Sequence, residues 1–137
     1  MDSTITDTPS APIQRYVFVY GTLRKGQERD INRLQPAPLF VGNSQINGVL
    51  YNLGSYPGVR LDGLNSVQGE IYQITPELER QLDEIEEVWP QQTGEYVRRE
   101  VVVQSAGVAL ICLVYELVET RTHSRVVIES GDWLSLT

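Results

Sequence analysis

Along the chain, apolar positions fall into short extended runs broken by glycine, asparagine, serine and proline. RYVFVY at 15–20 has no polar face, which predicts a strand buried on both sides. QERDINRL at 27–34 predicts a short helix stopped by Pro36 and Pro38. LFVGNSQINGVLYNL at 39–53, GVRLD at 58–62 and SVQGEIYQI at 66–74 predict extended segments with turns between them. PELERQLDEIEEV at 76–88 predicts the principal helix: Thr75 is a good N-cap and Pro76 occupies the tolerated first position. Glu77 and Glu79 favour the positive end of its dipole. YVRREVVVQS at 96–105 and VALICLVYELV at 108–118 predict two strands joined tightly across Ala106 and Gly107. Strands dominate, helices are few and no period repeats. The pattern therefore predicts a closed or nearly closed β-barrel with a flanking helix, in preference to alternating βαβ units.

Composition narrows the range of functions. A chain of 137 residues suits one domain, taken here as 15–137 after a flexible tail at 1–14 rich in Ser, Thr, Asp and Pro. The net charge of −7 argues against nucleic acid and anionic membranes, both of which need clustered Lys and Arg, and leaves small molecules or proteins as partners. The N-terminus lacks the basic start and apolar core of a signal peptide. GVALICLVYELV is too short for a membrane helix and contains Glu116. Cys112 is the only cysteine, so neither a disulfide framework nor a cysteine metal site is expected. These features predict a soluble, cytoplasmic protein.

Candidate chemistry begins at YVFVYGTLRKGQ, residues 16–27, where a strand runs into a glycine-opened loop. Gly21 and Gly26 have the spacing of a phosphate loop, but Lys25 precedes the second glycine and Gln27 follows it, so neither the phosphate-reaching lysine nor the magnesium-holding hydroxyl is in place. His123, the only histidine, lies in a polar stretch and reads as a surface residue, which argues against Ser-His-Asp chemistry. Cys112 reads as an inert packed thiol, and no His/Cys/Asp cluster has metal-ligand spacing. Carboxylates, tyrosines and backbone groups remain. At roughly 100° per residue, Leu78, Leu82, Ile85 and Trp89 form a stripe about 60° wide, with Glu84 and Glu87 opposite and Asp83 well off it. Glu86 lies only about 60–70° from the stripe centre, with Glu79 slightly farther out. A carboxylate at such a border is either part of a solvated face or partly desolvated, with its pKa raised toward the range useful for proton transfer.

Several pieces taken together resemble the gamma-glutamylcyclotransferase-like family: YGTLRKG at 20–26, GVLYNLGSYPGV at 48–59, VQGEIY at 67–72, LDEIE at 82–86, YVRREVVV at 96–103 and ESGDW at 129–133. The resemblance implies an α+β fold, a small mixed β-barrel with flanking short helices. It implies a substrate-holding loop at Tyr20, Gly21, Thr22 and Leu23 that acts through backbone groups, and Glu86 as general acid/base. It further implies Tyr115 beside the pocket, though packing alone also accounts for that residue. Tyr96, Arg98 and Trp133 match the family in structural roles. On this reading the loop is an anion cradle for a carboxylate, since successive backbone N–H groups form a nest without lysine or metal. Gly21 lets backbone approach ligand, while Arg24 and Lys25 either add a favourable field or are solvated.

The implied reaction releases 5-oxoproline and a free amine or amino acid from a small-molecule gamma-glutamyl substrate. The substrate's own α-amino group is the nucleophile, and no metal or cofactor is required. A catalytically silent small-carboxylate-binding module of the same fold is the alternative, and a larger donor such as a γ-glutamylated protein or isopeptide is another. The leaving group and the oligomeric state are left open by the sequence.

Overall fold

The computed structural model describes residues 15–87 and 93–135. The expected tail at 1–14 and the end of the predicted helix, with Val88 and Trp89, lie outside the described residues. Among the described residues the strands are β1 (Arg15–Val19), β2 (Leu39–Asn52), β3 (Pro57–Ile74), β4 (Tyr96–Ser105), β5 (Val108–Leu117) and β6 (Val126–Val127), with one α-helix, α1 (Pro76–Ile85). They form one mixed sheet in the order β4-β5-β1-β3-β2-β6. The α+β class stands, as a rolled sheet in which β2 and β4 are bridged by the Ser44 hydroxyl donating to the Gln104 carbonyl.

β1 is the middle of this roll, antiparallel to β3 and parallel to β5. Phe18 and Tyr20 face the interior of the roll with Ile46, Val67 and Val114. Val17 and Val19 face the opposite side, where Leu78 and Leu82 of α1 cover them. A strand covered on both faces needs no polar face, which accounts for the apolar run.

Two local expectations are corrected. The segments expected at 58–62 and 66–74 belong to one strand. Gly48 pairs with Asn65 and Val49 with Arg60, so residues 61–64 form a bulge that accommodates the turn signals without ending β3. The helix expected at 27–34 is a 3-10 turn, Ile31–Arg33. Its region spends backbone donors elsewhere: Arg29 N–H bonds the Thr22 carbonyl and Ile31 N–H the Leu23 carbonyl. Asp30 captures the N–H groups of Gly26 and Asn32, the local competition that disfavours α-helix.

α1 starts as expected, with the Thr75 side chain accepting from Leu78 N–H, and ends at Ile85 with Glu86 as C-cap. Glu87 follows in the left-handed region at φ 58°. Its buried face is turned roughly 40° from the apolar stripe toward Glu79 and Asp83, on the 100°-per-residue wheel. Asp83, expected well off the stripe, is 5% exposed. The reason is basic residues on the sheet below. Arg98 bonds Asp83 at 2.7 Å and also bonds Glu79, which Arg15 grips through two bonds at 2.9 and 2.6 Å. These pairs lock the helix onto β1 and β4.

A second set of ion pairs fixes the loop after β1. Arg24 is 7% exposed, and its Nε donates to Glu70 at 3.0 Å while an Nη donates to Asp132 at 2.9 Å. Glu70 also accepts from Lys25 N–H and the Tyr72 hydroxyl, so the buried carboxylate is well satisfied. Arg24 is therefore an anchor, whereas Lys25 beside it is exposed. Arg24→Met should cost about 3–5 kcal/mol, because it strands the buried Glu70 carboxylate. Lys25→Met should change stability by about 0.5 kcal/mol or less. Urea denaturation of both variants checks this, and equal effects would contradict the anchor.

Candidate active site

A cavity of about 310 Å³ opens where the end of β1, the 56–57 turn, the C-terminal end of α1 and the start of β4 converge. Tyr20, Gly21, Thr22, Leu23, Glu86 and Tyr115, the residues singled out from sequence, all line it. The remaining wall includes Arg29, Tyr56, Pro57, Glu87, Glu95 and Tyr96. His123 is exposed and away from this lining. Cys112 is fully buried in the sheet interior, and burial pushes its thiol up to about 11.

The loop presents its groups in an ordered way. The carbonyls of Gly21, Thr22 and Leu23 accept from the N–H groups of Arg24, Arg29 and Ile31. Among the described residues, the N–H groups of Gly21, Thr22 and Leu23 take no backbone partner. Lys25 and Gly26 N–H are held by Glu70 and Asp30 and are not available to a ligand. Gly21 has a packing role beyond the one expected of it, since a Cβ there would stand 2.6 Å from the Pro57 ring.

Tyrosines form the floor. The Tyr20 hydroxyl donates to the Tyr115 carbonyl at 2.7 Å and accepts from Val59 N–H at 3.2 Å. Tyr96 donates to the Pro57 carbonyl at 2.7 Å. The Tyr115 hydroxyl donates to Asp83 at 2.7 Å. Burial first, and then nearby carboxylates including Glu86, hold Tyr20, Tyr96 and Tyr115 well above the ordinary phenol range. All three remain neutral hydrogen-bonding groups at physiological pH.

Glu86 differs from the paired acids around it, and from the exposed Glu87 beside it in being only partly exposed. Asp83 and Glu79 are paired with arginines, Glu70 with Arg24, and Glu95 accepts from the Tyr56 hydroxyl at 3.0 and 3.2 Å. Among the described residues, no hydrogen bond or ion pair engages the carboxyl of Glu86. Loss of water raises its pKa to about 7; Arg29 pulls it down, and Glu95 and Glu87 push it up. A carboxyl group poised near neutrality can take up and return a proton.

Sequence reasoning did not find Arg29, Tyr56, Pro57, Glu87 and Glu95 as part of the cavity, and it placed Tyr96 in strand packing only. Tyr56 and Pro57 stand inside a quoted motif, but no periodicity marked their direction. Glu95 is brought to the cavity by the Gly94 turn, which no spacing rule identifies.

Comparison with known proteins agrees with this architecture. The family model described as gamma-glutamyl cyclotransferase, AIG2-like, matches residues 17–135. Over 121 residues the chain is 37% identical to a Vibrio cholerae protein provisionally named gamma-glutamylcyclotransferase, covering 88% of this chain and 96% of that one. It is 39% identical over 72 residues to the gamma-L-glutamyl-butirosin B gamma-glutamyl cyclotransferase of Niallia circulans, covering 52% of this chain but only 45% of the relative. The solution structure of ytfP from Escherichia coli is similar at a TM-score of 0.59 and 31% identity, with 88% of this chain and 96% of that one covered. The chain belongs to the gamma-glutamyl cyclotransferase, AIG2-like family.

Proposed function

We infer that this protein is a cyclotransferase acting on a small gamma-glutamyl compound, releasing 5-oxoproline and an amine or amino acid. The observation that carries the reading is the desolvated carboxyl of Glu86, without a hydrogen-bond or ion-pair partner among the described residues, in a cavity lined by three successive loop residues whose N–H groups take no backbone partner among the described residues. Family membership and the names of the relatives support it.

The N–H groups of Gly21, Thr22 and Leu23 receive the substrate's α-carboxylate, as a concave nest of amides does without a metal. The cavity holds the substrate curled, with its α-nitrogen near its own γ-carbonyl, so the reaction gains from proximity and the enzyme supplies no nucleophile. Glu86 removes a proton from the α-ammonium, and the freed lone pair attacks the γ-carbonyl carbon. The C–N bond to the leaving group then breaks. The two protons lost by the attacking nitrogen end on the leaving amine, with Glu86 taking them up and handing them on.

Glu86→Gln keeps shape and hydrogen bonding but cannot accept a proton. Its 5-oxoproline release from a gamma-glutamyl amide should fall by about 10²–10⁴-fold, with affinity for 5-oxoproline, which carries no ammonium, nearly unchanged. In the wild type, kcat/KM should rise as pH increases through about 7, where Glu86 loses its proton. A variant within a few-fold of wild type, on a substrate that the wild type cleaves, removes Glu86 from this role.

The same group makes stability depend on pH. Its folded pKa of about 7 lies above the ordinary 4.5, so the folded chain binds the proton more tightly than the unfolded chain. That stabilisation is full below about 4.5 and is lost as pH rises through about 7. Glu86→Gln never ionises, so it should melt higher than wild type at pH 8. The gain is on the order of 1–2 kcal/mol, and the two proteins should converge near pH 4.5. Thermal melts at the two pH values measure this, and a difference independent of pH would contradict the desolvation of Glu86.

For the loop, 5-oxoproline should bind the wild type and Lys25→Ala alike, because backbone forms the cradle and an exposed lysine adds little. Gly21→Ala should weaken it, since the methyl displaces the Pro57 ring. Calorimetric titration should detect no specific binding of Mg-ATP; ATP binding lost with Lys25 would reverse the assignment of the loop.

A further inference from the structure

Asp83 stands three residues before Glu86, in α1 whereas Glu86 caps it, yet it does not line the cavity. It is 5% exposed and its two carboxylate oxygens are divided between partners. One accepts from the Tyr115 hydroxyl at 2.7 Å, and the other accepts from Arg98 at 2.7 Å. A carboxylate in an ion pair only accepts, so the direction of the first bond is decided: Tyr115 is the donor. A phenol hydroxyl has one proton. With that proton committed to Asp83, the hydroxyl has only lone pairs left to offer any other group.

Tyr115 lines the cavity with Glu86, and the charge of Glu86 bears on the phenol. The other phenol hydroxyls in this wall are engaged with backbone or with Glu95: Tyr20 with the Tyr115 carbonyl and Val59, Tyr96 with the Pro57 carbonyl, Tyr56 with Glu95. Tyr115 is thus the wall phenol whose proton goes to a buried ion pair. We propose that Asp83 is a positioning residue that fixes the Tyr115 hydroxyl as a hydrogen-bond acceptor, so that Tyr115 and Glu86 together receive the substrate's α-ammonium while the loop N–H groups receive its α-carboxylate. This rests on the gamma-glutamyl reading of the cavity and goes beyond it, because it adds Tyr115 as a second acceptor for the ammonium and Asp83 as the residue that orients it. A hydroxyl free to turn would bind carboxylate or ammonium equally well; one locked as acceptor discriminates between them.

The test uses two ligands that differ only in the ammonium: L-γ-glutamyl-methylamide and its analogue lacking the α-amino group. Both are titrated calorimetrically into Glu86→Gln, whose turnover should be slower by about 10²–10⁴-fold, alone and combined with Asp83→Asn, Tyr115→Phe or Glu79→Gln. Wild type titrated with the desamino analogue, which has no nucleophile, checks that Glu86→Gln has not disturbed the cavity. Asp83→Asn and Tyr115→Phe should each weaken the methylamide by about tenfold, the effect of a lost hydrogen bond to a charged group, and leave the analogue within about twofold. Glu79→Gln loosens the same helix through Arg15 and Arg98 without touching Tyr115, and should leave the ratio of the two affinities unchanged. Equal weakening of both ligands by Asp83→Asn would reduce Asp83 to a structural support and overturn the proposal, even if the cavity binds gamma-glutamyl compounds. Binding of neither ligand by wild type and Glu86→Gln would overturn the gamma-glutamyl reading and this inference with it.

Discussion

The hydroxyl of Tyr20 is the point on which the site turns. β3 and β5 meet as parallel neighbours at one paired position, Val59 with Glu116, and a single position is a weak junction. Beside it the Tyr20 oxygen takes the Val59 N–H and gives its proton to the Tyr115 carbonyl, completing the junction with a side chain. That bond sets where β1 ends and where the following loop begins. It also brings the 56–57 turn against the loop, where the Pro57 ring lies so close to Gly21 that no side chain fits. The cavity is the space left beyond this junction, bounded by the loop, the turn and the end of α1.

Charge is distributed around that space unevenly. Buried carboxylates elsewhere are neutralised: Glu70 by Arg24, Asp83 by Arg98, and Glu116 by Arg99 and the N–H of Leu61. Among the described residues, Glu86 has no such partner. An uncompensated carboxyl is costly when ionised, and a chain selected only for stability would pair it or replace it. Its presence is the departure from local consistency expected where structure serves chemistry. The rigid pairs of Glu79 and Asp83 on the same helical face supply the support that lets the end of the helix carry this cost.

Much of this was legible in the residues. Apolar runs gave the strands, and Thr75-Pro76 gave the start of the helix, because these signals are local. The border position of Glu86 was readable from helical geometry alone, and the motif match reached the same residue. What was not legible depends on partners far along the chain. Asp83 looks solvated until Arg98 and Tyr115 are brought beneath it from two other strands. Arg24 looks like its neighbour Lys25 until Glu70 and Asp132 reach it. The 27–34 segment has the composition of a short helix, but its donors are drawn to the Thr22 and Leu23 carbonyls and to Asp30. Residues 63–65 read as a break because sequence does not reveal that the paired strand continues past them.

The Arg24–Asp132 contact also has a bearing on time. The two residues are 108 positions apart, and Glu70 lies between them. A ribosome adding roughly 5–20 residues per second makes Arg24 about 5–20 s before Asp132. Through that interval the guanidinium has one of its two carboxylates at most, and the loop it carries lacks its final tether. The cavity therefore waits for Asp132, made 108 positions after Arg24 of the loop that opens it.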